Sequence, residues 1–295
     1  MRGPAAPETF AAAEAVARAA AEDDEQNPSI RSGAGARLWS HGEARPRSVL
    51  LLHGYTHTPQ QVGLLAEQFF ARGYNVLAPR APLHGLVRPV PHAGLTVAAL
   101  RAHATEAWQL TALLGAEAGV VGVSGGAVLA TWLAAQQAGR VRRLLALAPF
   151  FRPHRRHAPP IAVAALRLVF GSRLLPDRVD SRGYSYVALA QYLRIAAAVR
   201  PRPGVGPGRV AVVLSAGDEA VDRAAAFGLP AALARAAGAS FEKVLLPAAL
   251  RLPHDVVSPA VLGTRRAELY ARYLDLYEGV PSTAHRPGIE PGAIG

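Results

Sequence analysis

The strongest constraint on how this chain folds is a repeating alternation. Short continuous apolar runs are each followed by a longer stretch with apolar residues at helical spacing. "SVLLLHG" (48–54) is unbroken and ends in Gly. Such a run marks a strand buried on both faces, as in a parallel sheet. "QVGLLAEQFFARG" (61–73) then carries the helical period and closes on Gly73, a helix C-terminus signal. The pattern continues with a strand at 74–80, a helix at 95–114, a strand at 119–124, a helix at 126–139 and a strand at 144–150. It breaks after Phe150. It resumes in "RVAVVLSAGDEAV" (209–221), whose strand gives way to a loop at Asp218, and continues with a helix at 222–237, a strand at 240–247 and a helix at 259–278. This alternation predicts an α/β fold: a doubly wound, mostly parallel sheet with helices on both faces.

The breaks in the rhythm give the expected organisation. Residues 1–47 form a lead-in, with a short amphipathic helix at 8–22 and a strand near 36–40. Residues 48–150 and 207–279 make the core. Residues 151–206, rich in Pro and Arg with helices at 161–170 and 184–199, form a small helical cap inserted after the strand ending near Phe150. Residues 280–295 are a loose Pro/Gly-rich tail.

Composition excludes several classes. There is no cysteine, so disulfides, thiolate metal sites and a cysteine nucleophile are all ruled out. The formal charge is +11, and only one of the 32 basic residues is a lysine, Lys243. The arginines are scattered singly apart from short clusters such as "RPHRRH" (152–157). A nucleic-acid partner, which wants a clustered basic face, is therefore not expected, and neither is an anionic-membrane contact. The first residues lack the apolar core of a signal peptide, and no apolar run reaches the length of a membrane span. The expected setting is the cytoplasm.

The chemistry concentrates at "VVGVSGGAVLATWL" (120–133). Here Gly122, Ser124 and Gly126 form G-x-S-x-G between a strand and a helix, the context of a nucleophile elbow. A serine in so tight a turn projects its hydroxyl from the sheet edge. The neighbouring strand and helix then approach so closely that only glycine fits on either side. The helix start also offers free N–H groups to a developing oxyanion. A phosphate-cradling loop is the rival, but the lysine and spacing of such loops are absent.

A serine hydroxyl needs a base, and the base needs an orienting carboxylate. Downstream, the strand within "VAVVLSAGDEAV" (210–221) ends at Asp218, and "RLPHDVV" (251–257) holds His254. Each lies just past the carboxyl end of a predicted parallel strand, where open α/β sheets gather ligands. Over about residues 48–279 the chain resembles the α/β-hydrolase superfamily of serine esterases and lipases. The carriers are "LLHGYTHTP", "LAPRAPLHG", "GVSGG", "SAGDEAV" and "LPHD"; the glycine of the family's acid motif here adjoins Asp218. Among its branches the chain looks most like bacterial cap-bearing carboxylesterases and monoacylglycerol lipases. The resemblance implies Ser124 as nucleophile, His254 as base and Asp218 as its partner. It also implies backbone N–H groups of Tyr55 and Gly125 as the oxyanion hole. A small-molecule ester with a hydrophobic acyl group would be the substrate, and no cofactor or metal is expected.

Other residues are open to plainer readings. Asp222 falls where a helix should begin and reads as an N-cap. Asp255 adjoins His254 too closely to reach its imidazole. His53 supports the oxyanion loop, His57 lines the pocket and His84 belongs to loop architecture. His154 and His157 sit on a solvated face of the cap. Tyr184, Tyr186 and Tyr192 either wall an acyl pocket or pack the cap. A peptidase, amidase, thioesterase or acyltransferase with the same three residues, a non-catalytic binder of the same fold and an arginine-mediated nucleic-acid binder remain alternatives.

Overall fold

Apolar runs become the buried strands of one sheet. A computed structural model of the chain describes residues 8–87, 92–181 and 183–281. The strands are β1 (Arg37–Trp39), β2 (Arg45–Leu52), β3 (Tyr74–Ala78), β4 (Gly115–Val123), β5 (Val141–Leu147), β6 (Arg209–Ser215) and β7 (Ser240–Leu246). Their order is β1-β3-β2-β4-β5-β6-β7. Every neighbouring pair is parallel except β1 with β3. The period-2 geometry of a strand divides the side chains between two cores. Leu50, Leu52 and Val120 point into one; Val49, Leu51, Val121 and Val123 point into the other.

The helices are α1 (Phe10–Gln26), α2 (Gly63–Ala71), α3 (Val97–Leu113), α4 (Gly125–Gln136), α5 (Pro160–Val169), α6 (Tyr186–Ala198), α7 (Arg223–Ala237), α8 (Pro259–Leu262) and α9 (Arg266–Glu278). Residues of α1, α3, α4 and α6 fill the first core, and those of α2 and α9 fill the second. Among the described residues, four helix starts carry side-chain caps: Thr9, Thr96, Ser185 and Asp222 accept from the N–H three residues on. Each such cap contributes about 1 kcal/mol.

Two expectations change. The first helix is not confined to 8–22 but runs through the acidic stretch to Gln26. Asp24 is held there: its carboxylate accepts from the guanidinium of Arg80 and from the N–H of Ala36. The last helix is not continuous over 259–278. It breaks at Gly263, whose φ of 57° lies in the left-handed region, and starts afresh at Arg266. Of the expected tail at 280–295, all but Val280 and Pro281 lie outside the described residues.

Sheet topology determines where a site can form. From β2 the chain winds outward to β3 on one side, then returns to place β4 on the other side. The reversal between β2 and β4 is a topological switch point, where the loops beyond the strand ends part and leave a crevice. The register pairs Leu52 with Gly122, Val123 with Leu147, Leu147 with Val213 and Ser215 with Leu246. The carboxyl ends of β2, β4, β5, β6 and β7 therefore share one rim.

Candidate active site

Ser124 follows directly on β4 and precedes the first residue of α4. Its backbone has φ 51° and ψ −110°, strained for a residue with a Cβ. The flanking glycines make the turn possible. A Cβ on Gly122 would lie 2.6 Å from Ala127 Cα, and one on Gly126 would lie 2.5 Å from His53 O. Both contacts are with backbone that cannot move aside, so the helix can start this close to β2 only without those side chains.

His254 comes from the loop after β7 and Asp218 from the loop after β6. The three side chains form one hydrogen-bonded line. His254 Nε2 is 2.8 Å from Ser124 Oγ, and His254 Nδ1 is 2.7 Å from Asp218 Oδ2. A carboxylate only accepts, so Nδ1–H donates to Asp218 and Nε2 is left to accept the serine hydroxyl. The Asp218 side chain is fully buried, while that of His254 retains partial exposure. The other Asp218 oxygen accepts from the N–H groups of Ala220 and Val221. These two donors hold the carboxylate in one orientation.

The rivals point elsewhere. Asp222 caps α7 through Ala225 N–H and pairs with Arg155. Asp255 turns away from the His254 imidazole. Its carboxylate accepts from Ser258 N–H, Val257 N–H and the Ser258 hydroxyl, and faces His57 Nε2 at 3.4 Å. Burial pushes the Asp255 carboxyl up, but these hydrogen bonds outweigh it and hold it well below the usual carboxylate range. The bond to Asp255 in turn raises His57.

The loop after β2 lies against the serine: a Cβ on Gly54 would touch Ser124 Cβ at 3.6 Å. The backbone N–H groups of Tyr55 and Gly125 have no acceptor among the described residues. His53 braces this loop. Its Nδ1–H donates to Gly54 O at 2.9 Å, and its Nε2 accepts Ala81 N–H at 3.0 Å. Burial lowers His53 to about 3, so it stays neutral. His84 is buried and stacks on His92; burial lowers it to about 2.

Gln61 adds a side chain to the site that no sequence motif marks. It is buried, its Oε1 accepts Gly54 N–H at 2.8 Å, and its Nε2 faces Asp255 Oδ2 at 3.4 Å. A lone glutamine ahead of an apolar helix carries no motif, so only the fold reveals it. The tyrosines separate. Tyr192 lies at the elbow, where a Cβ on Gly125 would sit 3.0 Å from its ring. Tyr184 and Tyr192 both pack on the Tyr55 ring, whereas Tyr186 packs on Phe170. The Tyr55 hydroxyl accepts Ser185 N–H at 3.1 Å. His154 and His157 pack on each other within 151–206. Among the described residues no cluster of three or more His, Cys, Asp or Glu could hold a metal ion, and no helix is long and apolar enough to cross a membrane.

No protein-family model and no curated protein sequence matches the chain. Solved structures do. One comes from work on LipS and LipT, two metagenome-derived lipolytic enzymes. It is 24% identical, covers 85% of this chain and 99% of its own, and superposes with a TM-score of 0.64. Est1E from Butyrivibrio proteoclasticus, with ferulic acid bound, is 16% identical over 83% of this chain and 94% of its own, with a TM-score of 0.57. A soluble variant of monoglyceride lipase from Saccharomyces cerevisiae, in complex with a substrate analogue, is 14% identical over 82% and 91%, with a TM-score of 0.55. With its strand order, the reversal between β2 and β4 and the serine turn at that switch point, the chain has the α/β-hydrolase fold.

Proposed function

We propose that the chain is a serine hydrolase that cleaves carboxylic esters through an acyl-serine intermediate. The observation that carries this reading is the unbroken line from Ser124 Oγ through the His254 imidazole to the buried Asp218 carboxylate. In this reading His254 Nε2 takes the hydroxyl proton as Ser124 attacks the ester carbonyl. Asp218 keeps the imidazole in the tautomer that can accept it and stabilises the imidazolium that forms. The unpaired N–H groups of Tyr55 and Gly125 receive the oxyanion. His254 then protonates the departing alcohol. Water, activated by the same imidazole, releases the acid.

Residues 151–206 act as a cap in this reading. Support comes from Ser185 bonded to the Tyr55 hydroxyl and from Tyr192 beside Gly125. The apolar rings of Tyr184 and Tyr192 would then favour a small-molecule ester with a hydrophobic acyl group. Esterase and lipase activity among the solved structures of the same fold accords with this.

A fluorophosphonate probe should label wild-type protein and not Ser124→Ala. A panel of p-nitrophenyl esters against aminoacyl and thioester substrates identifies the bond cleaved. Labelling that persists in Ser124→Ala, or full turnover by that variant, overturns the reading.

A further inference from the structure

Helix α5 exposes what helices normally bury. Ile161 is 81% exposed and Leu168 is 63% exposed. With the exposed Ala164 and Ala165 they occupy positions i, i+3, i+4 and i+7, one continuous stripe along the helix. Val163 is its one buried residue. The chain turns directly off the helix end, where Leu174 N–H donates to Val169 O. It then exposes Leu174 at 65%, Leu175, and Val179 at 58%. Five of the large exposed hydrophobic residues thus fall within nineteen positions, two on α5 and three in the chain that follows it; α5 packs on α6, which in turn packs on α4.

Charge gathers in the same segment. Residues 151–206 contain ten arginines and two aspartates, a formal +8 of the chain's +11. Taken one by one these arginines look scattered; the concentration emerges only when the segment is summed. Both aspartates are engaged with backbone, Asp177 accepting from Val187 N–H and Asp180 from Tyr184 N–H. Arg155 pairs with Asp222, and Arg173 donates to the carbonyls of Ala93 and Leu95. The side chains of Arg156, Arg167 and Arg178 are exposed and have no acceptor among the described residues. Arg167 sits on α5 itself, beside Leu168.

We infer that this face docks on an anionic phospholipid surface. The stripe of Ile161, Ala164, Ala165 and Leu168 enters the headgroup boundary while Arg156, Arg167 and Arg178 meet the phosphates. An apolar helix face flanked by arginines is the composition of an interfacial helix, and neither half suffices alone. A second copy of the chain is a poor occupant, because it would set the unpaired guanidinium groups of Arg156, Arg167 and Arg178 against the same groups of the first. A folded acidic protein would offer polar groups to hydrogen-bond, and the α5 stripe offers none in return. The inference stands on the surface alone and does not depend on the proposed hydrolysis.

Co-sedimentation with vesicles tests it. Wild-type protein is expected to bind vesicles containing phosphatidylglycerol on the order of 100-fold more tightly than vesicles of phosphatidylcholine alone, since three arginines face the membrane. Raising the salt should remove most of that preference. Ile161→Glu/Leu168→Glu should lose binding to both vesicle types. Arg156→Gln/Arg167→Gln/Arg178→Gln should lose only the preference for the anionic one. All are surface changes, and unaltered melting confirms that each variant is folded. Equal binding to both vesicle types by wild type, or undiminished binding by the double variant, overturns the inference. So does binding to immobilised polyglutamate or DNA with none to vesicles, which would assign the face to an acidic macromolecule.

Discussion

The side-chain oxygen of Gln61 accepts the backbone N–H of Gly54 at 2.8 Å, and both groups are buried. Through this bond, and through its amide nitrogen facing Asp255, Gln61 joins the loop after β2 to the loop that carries His254. Truncation to alanine would leave the Gly54 N–H without a partner, at a cost of about 1–3 kcal/mol. It would also free the loop that offers Tyr55 N–H. For Gln61→Ala we therefore expect a lower melting temperature and a kcat reduced roughly tenfold to a hundredfold. KM for a small ester should change little. Unchanged kcat would show that the loop holds its place without this bond.

The strain at Ser124 has a measurable consequence. Ser124→Ala and Ser124→Gly both remove the hydroxyl, so they differ only in the Cβ. At φ 51° and ψ −110° the alanine retains the strain of about 1–3 kcal/mol, which glycine escapes. Glycine's extra freedom in the unfolded chain offsets about 0.5–1 kcal/mol of that gain. The glycine variant should therefore be the more stable by about 1 kcal/mol, read by urea unfolding. Equal stability would mean that the turn is not strained.

Much of this arrangement is legible in the chain itself, for a physical reason. Strands covered on both faces read as unbroken apolar runs, so β2, β4, β5 and β6 can be located, and with them the strand ends that carry Ser124 and Asp218. His254 is readable because it falls between the last strand and the last helix. The pair Gly122 and Gly126 is readable because a helix this close to a strand excludes a Cβ. Contacts that depend on tertiary folding are not readable. Gln61 and Asp255 are 194 positions apart, and nothing local to either announces the other. The extension of α1 to Gln26 rests on Asp24 meeting Arg80 across 56 residues. Acidic residues at a helix C-terminus read locally as a stop, because they oppose the helix dipole; the distant arginine reverses that reading.

Three carboxylates lie near the serine turn, and substitution to the isosteric amide separates them. Asp218→Asn should lower kcat about 10,000-fold, because an amide can stabilise the wrong imidazole tautomer. Asp222→Asn should keep near wild-type turnover, since an asparagine still caps α7. Asp255→Asn should fall between the two. It leaves His254 its partner but weakens the hold of His57 and Gln61 on the neighbouring loop. A loss at Asp222 exceeding that at Asp218 would reverse the assignment of the orienting carboxylate.

Acid should destabilise the fold well before the carboxylates titrate. His53 and His84 are buried and neutral, lowered to about 3 and about 2, whereas in the unfolded chain each titrates near 6.5. Both native values lie below the unfolded one. Stability is therefore complete above about pH 6.5 and declines as pH falls toward 3, because the unfolded chain takes up protons that the folded chain refuses. Each group contributes about 1.4 kcal/mol per pH unit in that window, so the two together cost about 4 kcal/mol at pH 5. The His57–Asp255 pair acts in the opposite sense, since a raised histidine stabilises at low pH and loses its effect as pH rises. His57 is partly exposed, however, and solvent screens that contribution. Unfolding free energies from urea titrations at pH 7.5, 6 and 5 should drop steeply. His84→Phe, which keeps the ring stack on His92 and carries no proton, should flatten the slope by one group. A wild-type stability that is level between pH 7.5 and 5 would mean that these imidazoles are protonated in the folded chain.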